Sequence, residues 1–285
     1  MLFSIEPGKT PLEIKALAFD LDGTLLAPGA VLTERTRSAV CACEKKGLEI
    51  IFATGRAVEA SEKYRVALNA CGAMVYFNGA IVAEMPANKI LHSTLLSKEI
   101  AFFCLDLSIK KNVYFQFYIP GTAQRPGQPL LAHTDSPHRE MYHKHTGIQA
   151  ELCDLREVLN DPQTPGCIKG MFLAEPEILD ALRPHIEDRF GKDVYVVRST
   201  NTFLEILNPG VSKGLGLGLA LNRRNIKPKE TIAFGDEEND LPMFNIAGFS
   251  VAPANAKDSV KSKAGFITGP NSKDGVAEFL EKYFL

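Results

Sequence analysis

The chain has 285 residues, 45% of them apolar and 23% charged, with a formal net charge of −2. That is enough apolar material for a sizeable core and enough length for two domains, and so even a charge argues against nucleic acid as a partner, which draws on a basic stripe. No run reaches the roughly 18 apolar residues of a membrane span, residues 1–8 lack the basic start and long apolar run of a leader, and six scattered cysteines without a C-x-x-C pair read as reduced thiols, so a cytoplasmic location is expected.

In chain order, Lys15–Leu21 reads as a buried strand that empties into Asp20-Leu21-Asp22-Gly23-Thr24. Thr33–Lys46 reads as an amphipathic helix with Thr33 as its N-cap and Gly47 past its end. Leu48–Ala53 is a second apolar run, ending at Thr54-Gly55-Arg56. Val58–Ala70 reads as helix. Ala73–Phe77 reads as a strand ending at Asn78-Gly79, with Ala80–Glu84 as its hairpin partner. Strands alternating with helices predict βαβ units and a largely parallel sheet.

The middle of the chain differs. Val113–Ile119, Ile168–Ala174, Val194–Val197 and Phe203–Leu207 read as strands, and Pro176–Phe190 as a helix. Pro120–Thr146 is rich in Pro, Gly and His without a period, which predicts a long loop. The βα rhythm then resumes. Lys213–Asn222, Asp240–Ala247, Asp258–Lys263 and Gly275–Tyr283 read as helices, and Thr231–Gly235, Ser250–Ala252 and Phe266–Thr268 as strands. One helix fills the gap from Asp22 to Ala53, whereas the gap from Thr54 to Lys213 is far longer than core elements need. The expectation is an α/β protein. Residues 1–84 and 208–285 form a doubly wound, Rossmann-like core, and 85–207 form an inserted α/β domain.

Four clusters sit at predicted strand ends or helix starts: Asp20–Thr24, Ala53–Arg56, Val211–Gly214 and Gly235–Asp240. In open parallel sheets ligands bind outside the carboxyl ends of the strands. Asp20 and Asp22 are two apart, so they leave a strand end on the same side. Two carboxylates that close call for a hard cation such as Mg²⁺. The residue types suit phosphoryl transfer. An aspartate nucleophile, Asp20, needs no deprotonation at neutral pH. Mg²⁺ and Lys213 offset the like charge of a phosphate monoester, and the Thr54 hydroxyl and nearby backbone N–H groups donate to it. Asp236 is a further metal ligand. Asp22 protonates the leaving alkoxide and then deprotonates the attacking water.

On these motifs the sequence resembles the haloacid dehalogenase-like phosphatases, and within them the Cof-type subgroup. Asp20–Thr24 is similar to the family's nucleophile motif, Thr54-Gly55-Arg56 to its phosphate-binding threonine motif, Lys213 to its lysine, and Gly235-Asp236 with Asn239-Asp240 to its metal motif. Asn255–Thr268 is similar to the segment that follows that motif. The resemblance implies a phosphate-binding set of Thr54, Gly55, Lys213 and Asn239, and a metal set of Asp20, Asp22 through its backbone carbonyl, and Asp236. Asp240 reads either as the cap of the helix that starts there or as a group that orients Lys213 or a metal-bound water. The insertion matches the C2-type cap, which contributes substrate contacts, with hinges near Glu84 and Asn208–Gly210. Arg56, Asn78 and Gly79 at the core rim and Arg139 in the insertion are further candidates for touching substrate. The implied substrate is a small phosphorylated metabolite, a sugar phosphate or a phosphorylated cofactor.

Other readings remain open at this stage. A phosphomutase of the same superfamily uses the same aspartates, and a non-catalytic phosphometabolite-binding protein would be expected to have lost Asp20 or Asp22. Gly214-Leu215-Gly216-Leu217-Gly218 lacks dinucleotide-binding spacing and reads as small residues packing a helix on the sheet. Glu237 and Glu238 read as a solvated turn. His133, His138, His143 and His145 read as a polar loop, a substrate contact or a zinc site.

Overall fold

In the computed structural model, which describes residues 1–3, 12–122 and 125–285, a short antiparallel pair, β1 (Leu2–Phe3) and β2 (Leu12–Glu13), leads into β3 (Ala16–Phe19). Residues 4–11, which include most of the stretch 1–8 read for a leader, and 123–124, within the stretch read as a loop, lie outside the described residues. Every residue of β3 is buried, as a strand covered on both faces must be. Helix α1 (Glu34–Lys45) starts at Thr33, whose side chain accepts from the Thr36 N–H. Then follow β4 (Glu49–Phe52), α2 (Val58–Ala67), β5 (Gly72–Tyr76), β6 (Ile81–Met85) and β7 (Lys89–Ser93).

The middle stretch holds α3 (Lys98–Lys111), β8 (Tyr114–Tyr118), β9 (Leu130–Ala132), α4 (Pro137–Thr146), β10 (Glu151–Leu152), α5 (Leu155–Asn160), β11 (Lys169–Leu173), α6 (Pro176–Phe190), β12 (Tyr195–Thr200) and β13 (Phe203–Leu207). The last stretch holds α7 (Lys213–Arg223), β14 (Thr231–Phe234), α8 (Leu241–Ile246), β15 (Phe249–Pro253), α9 (Asp258–Lys261), β16 (Phe266–Thr268) and α10 (Gly275–Tyr283). The chain divides into two compact units: residues 1–56, 61–92 and 212–285, and residues 57–60 and 93–211. Among the described residues no helix is long and apolar enough to cross a membrane.

The first unit is built on a parallel sheet in the order β16-β15-β14-β3-β4. A single parallel bridge from Ala53 to Val75 hands it on to β5, which pairs antiparallel with β6. The chain leaves β3 toward β4 on one side and returns as β14 on the other. The strand order therefore reverses between β3 and β14, and their carboxyl ends open the crevice where doubly wound sheets bind ligands. Helix α7 packs hard on this unit through its small residues. A Cβ on Gly214 would lie 2.3 Å from the Pro242 carbonyl oxygen, and one on Gly216 would lie 2.4 Å from Val75 Cγ1. Gly214 and Gly216 pack the helix, as the sequence reading expects of the glycine run.

The second unit has a sheet in the order β10-β9-β8-β11-β13-β12, antiparallel except for β9 with β10. Phe115, Phe117, Phe172, Leu204 and Ile206 alternate onto one face and join Ile100, Leu105, Leu179 and Ile186 of α3 and α6 in one apolar cluster. The opposite face is also buried but mixes polar groups with apolar ones. It carries the Lys169–Glu205 ion pair at 2.8 Å, and Tyr118, whose hydroxyl pairs with that of Tyr142 on α4 at 3.0 Å.

The Pro120–Thr146 stretch is not one long loop. It contains β9 and all of α4. Helix α4 is set by its ends: the Ser136 hydroxyl accepts from the His138 N–H, Pro137 fills the first turn, and Gly147 takes the left-handed conformation that stops it. Its only buried residue is Tyr142, so no apolar stripe announces it. Helix α3 is also absent from the sequence reading, because Ile100, Phe102, Phe103, Leu105, Leu107 and Ile109 surround it with apolar side chains and blur its period.

The contacts of α7 set a test. Gly214→Ala and Gly216→Ala should each destabilise the protein by about 1–3 kcal/mol through overpacking. Gly218, whose Cβ would meet nothing nearer than 4.0 Å, should accept alanine with a gain of up to about 1 kcal/mol in helix propensity. Urea unfolding of the three variants checks both.

Candidate active site

Asp20 follows β3 directly, and its N–H donates to the Phe234 carbonyl at the end of β14, 2.9 Å away. The reversal point of the sheet thus fixes the backbone of the first aspartate. Lys213 opens α7, where the Ser212 hydroxyl caps the helix by accepting from the Leu215 N–H. The Lys213 ammonium donates to Asp20 Oδ1 and to Asp240 Oδ1, both at 2.6 Å. The other oxygen of Asp240 accepts from the N–H groups of Asp236 and Glu237, at 2.9 and 3.0 Å. Asp240 therefore shapes the turn after β14 and aims the lysine at once.

Asp236 is held from a distant part of the chain. The Thr24 hydroxyl donates to its Oδ1 at 2.6 Å. Gly23 sits against it with φ of +80°, and a Cβ there would lie 2.2 Å from Asp236 Oδ2. Both the left-handed backbone and the contact require glycine. Thr24 belongs to the first motif, but no role for it is legible there. Its partner is 212 residues away, and the motif itself is the only signal.

Burial drives the electrostatics. It pushes the Asp20 carboxyl well above the usual carboxylate range, with the Lys213 charge pulling the other way and the neighbouring aspartates reinforcing the rise. It pushes Asp236 up to about 7, against the Thr24 hydrogen bond. For Lys213, burial alone would lower the ammonium, but Asp20 and Asp240 outweigh it and hold the group charged.

Carboxylate oxygens of Asp20, Asp236 and Asp240 lie within 4.8 Å of one another. Among the described residues, no hydrogen bond takes Asp20 Oδ2 or Asp236 Oδ2, whereas both oxygens of Asp240 are engaged. Three aspartates against one lysine leave an excess of negative charge. Hard oxygen donors in that setting suit a hard divalent cation, with Asp236 offering a free oxygen and Asp20 a carboxylate beside it.

The Asp22 carboxylate is outside this cluster. It is half exposed and is gripped by Arg56, which the sequence places only at the core rim. The Thr54 hydroxyl accepts from the Arg56 N–H at 3.1 Å, and the Thr54 carbonyl accepts from the Asn78 N–H at 3.0 Å. Asn78 Oδ1 accepts from Asn239 Nδ2 at 3.1 Å and lies beside Gly55. A Cβ on Gly79 would lie 2.2 Å from the Ser212 carbonyl oxygen. Thr54, Gly55, Asn78, Gly79 and Asn239 are thus knitted into one wall leading to Lys213. Asn239 Oδ1 is buried there without a hydrogen-bond partner.

In the second unit Arg139 donates to the Ala150 carbonyl and pairs with Asp135. His138 lies by Ser136, and the His145 ring packs on Phe203. Among the described residues the one group able to hold a metal is the aspartate cluster, which contains no histidine. Glu237 pairs with Lys257 on the surface, in keeping with a solvated turn.

Residues 17–280 match the haloacid dehalogenase-like hydrolases. The chain belongs to this family. It is an enzyme of the family's phosphatase kind. This hydrolase is 29% identical over 271 residues to the 5-amino-6-(5-phospho-D-ribitylamino)uracil phosphatase YitU of Bacillus subtilis (strain 168), covering 94% of this chain and 97% of that protein. It is similar to the crystal structure of TM0651 from Thermotoga maritima, with 30% identity, a TM-score of 0.82, and coverage of 94% and 97%. A haloacid dehalogenase-like hydrolase from Bacteroides thetaiotaomicron shares the fold, at 23% identity and a TM-score of 0.82 over 94% of this chain and 99% of the other.

The raised carboxyls make a pH prediction. A group whose folded pKa lies above its unfolded value contributes its full stability below the unfolded value, about 4, and loses it as pH rises through the folded value. For Asp236 that window ends at about 7. A divalent cation needs the carboxylates ionised. The melting-temperature gain on adding one should therefore grow from acid toward pH 8, and thermal-shift measurements with and without metal check it.

Proposed function

We propose that this hydrolase cleaves the phosphate monoester of a small phosphorylated metabolite, a sugar phosphate or a phosphorylated cofactor, with Mg²⁺ and through an aspartyl-phosphate on Asp20. The observation that carries the reading is the Lys213 ammonium, buried and shared between Asp20 and Asp240, beside an Asp20 oxygen that no other group takes. The division of the chain into a core and a cap at residues 84 and 208, and a cytoplasmic location for its six free cysteines, belong to the same proposal.

Asp20, Asp236 and the Asp22 backbone carbonyl would hold the metal. Bound Mg²⁺ supplies positive charge that offsets the repulsion between the Asp20 carboxylate and the phosphate. Asp20 Oδ2 attacks phosphorus, forming the Oδ2–P bond as the ester P–O bond breaks. Asp22 gives its proton to the departing alkoxide. It then takes a proton from water, whose oxygen attacks phosphorus, breaks the Oδ2–P bond and regenerates Asp20. Lys213 holds Asp20 in place and lowers the energy of the charge gathering on the phosphoryl oxygens. The Thr54 hydroxyl and the N–H groups after β4 are the donors assigned to those oxygens. The substrate class is supported by YitU, which by its name acts on a phosphorylated ribitylaminouracil.

Asp20→Asn should lower turnover by about 10³-fold or more while the protein stays folded. Beryllium fluoride should form its adduct on Asp20 in the wild type, and an adduct on Asp22 would overturn the assignment. EDTA should abolish activity and Mg²⁺ restore it, with Ca²⁺ a poor substitute because it favours a larger, looser shell. Release of inorganic phosphate without any added bisphosphate separates hydrolysis from mutase chemistry.

A further inference from the structure

Arg56 is buried, yet its partner Asp22 has a side chain 49% exposed. Arg56 Nε donates to Asp22 Oδ2 at 2.6 Å, and Nη2 donates to Oδ1 at 2.7 Å. A two-point fork fixes the plane of a carboxylate as well as its position. The arginine has little freedom of its own. Its guanidinium carbon lies 5.5 Å from the centre of the Tyr64 ring, and the Tyr64 hydroxyl donates to the Ala30 carbonyl at 2.7 Å. Its backbone N–H donates to the Thr54 hydroxyl, and its carbonyl accepts from the Phe77 N–H at 3.0 Å. From Ala30 through Tyr64 and Arg56 to Asp22, every link is tied.

We propose that Arg56 is a positioning residue that acts on the reaction through Asp22 alone, holding its carboxylate in one orientation, and that it does not bind the phosphate. This rests on Asp22 being the general acid and base. Each carboxylate oxygen has two lone pairs. The fork takes one on each oxygen and leaves one on each to exchange a proton with the leaving oxygen or with water. Proton transfer requires its partners within hydrogen-bond reach. A half-exposed aspartate on a turn would otherwise spend much of its time in rotamers that miss. Turning the fork itself to a phosphate would break two charge-assisted hydrogen bonds and release Asp22 at the moment Asp22 is needed.

The test compares glycerol phosphate with p-nitrophenyl phosphate for the wild type, Arg56→Met, Tyr64→Leu, Asp22→Asn and the Asp22→Asn/Arg56→Met double variant. Nitrophenolate departs without a proton, so attack by Asp20 on that ester does not need Asp22, whereas hydrolysis of the aspartyl-phosphate does. Arg56→Met should lower kcat on glycerol phosphate by about 10²-fold with KM within about threefold. On p-nitrophenyl phosphate it should give a stopped-flow burst of nitrophenolate stoichiometric with enzyme, then a slow steady rate. Tyr64→Leu should show the same pattern more weakly. In the Asp22→Asn background, Arg56→Met should add nothing. A tenfold rise in KM with kcat retained, a loss without a burst, or additive losses in the double variant would overturn the proposal. A crystal structure of Arg56→Met gives a readout free of activity: Asp22 should spread over several rotamers, and one unchanged rotamer would refute the role. If the wild type turns over neither ester, the phosphatase reading fails, and the rotamer result still decides the positioning role.

Discussion

One buried ammonium organises the catalytic side of this protein. Lys213 reaches Asp20 across 193 residues of sequence and Asp240 across 27. Bringing any of these charges out of water alone costs several kcal/mol, and removing one member of such a set leaves an uncompensated buried charge worth about 3–5 kcal/mol. The strand end after β3, the first turn of α7 and the turn after β14 are therefore not independently movable. The glycines of α7 are the corresponding steric requirement. Only without side chains at positions 214 and 216 can the helix come close enough to β5 and α8 to deliver the lysine.

The same constraint makes the site suited to a cation. Three aspartates are gathered around one lysine where water is scarce, and burial pushes Asp20 and Asp236 toward holding protons. Ionising these carboxylates together calls for more positive charge than Lys213 supplies, and a hard divalent ion fits that need. The two aspartates of the first motif meet opposite environments. Asp20 faces inward to the ammonium, while Asp22 faces outward to solvent and is restrained by an arginine. Two carboxylates of one motif thus sit in different surroundings, and environments that differ in this way are what separate the roles of paired carboxylates in general.

The chain's own pattern went far in the first unit. β3, β4, β5 and β14 are legible because strands buried on both faces are continuous apolar runs. The motif residues are legible because they fall where those runs stop, at the edge where a doubly wound sheet binds ligands. Legibility fell in the middle stretch. Helix α4 buries only Tyr142, and α3 is apolar all round, so neither shows the stripe that a helix displays when one face is wet and the other dry. Their caps, Ser136 with Pro137 and Ser97, are the signals that remained.

By itself, then, the sequence determined the alternation of strand and helix and the four motif clusters at element ends, because each depends on neighbours a few residues apart. Only the tertiary structure decided which atoms meet. Thr24 on Asp236, Asp240 on both Lys213 and the turn before it, Asn239 on Asn78, and Arg56 on Asp22 are contacts between residues from 3 to 212 positions apart. A period in the sequence reports which face of an element is buried. It does not report which side chain lies opposite, since that follows from strand order and helix approach, and these are settled by packing the whole unit at once.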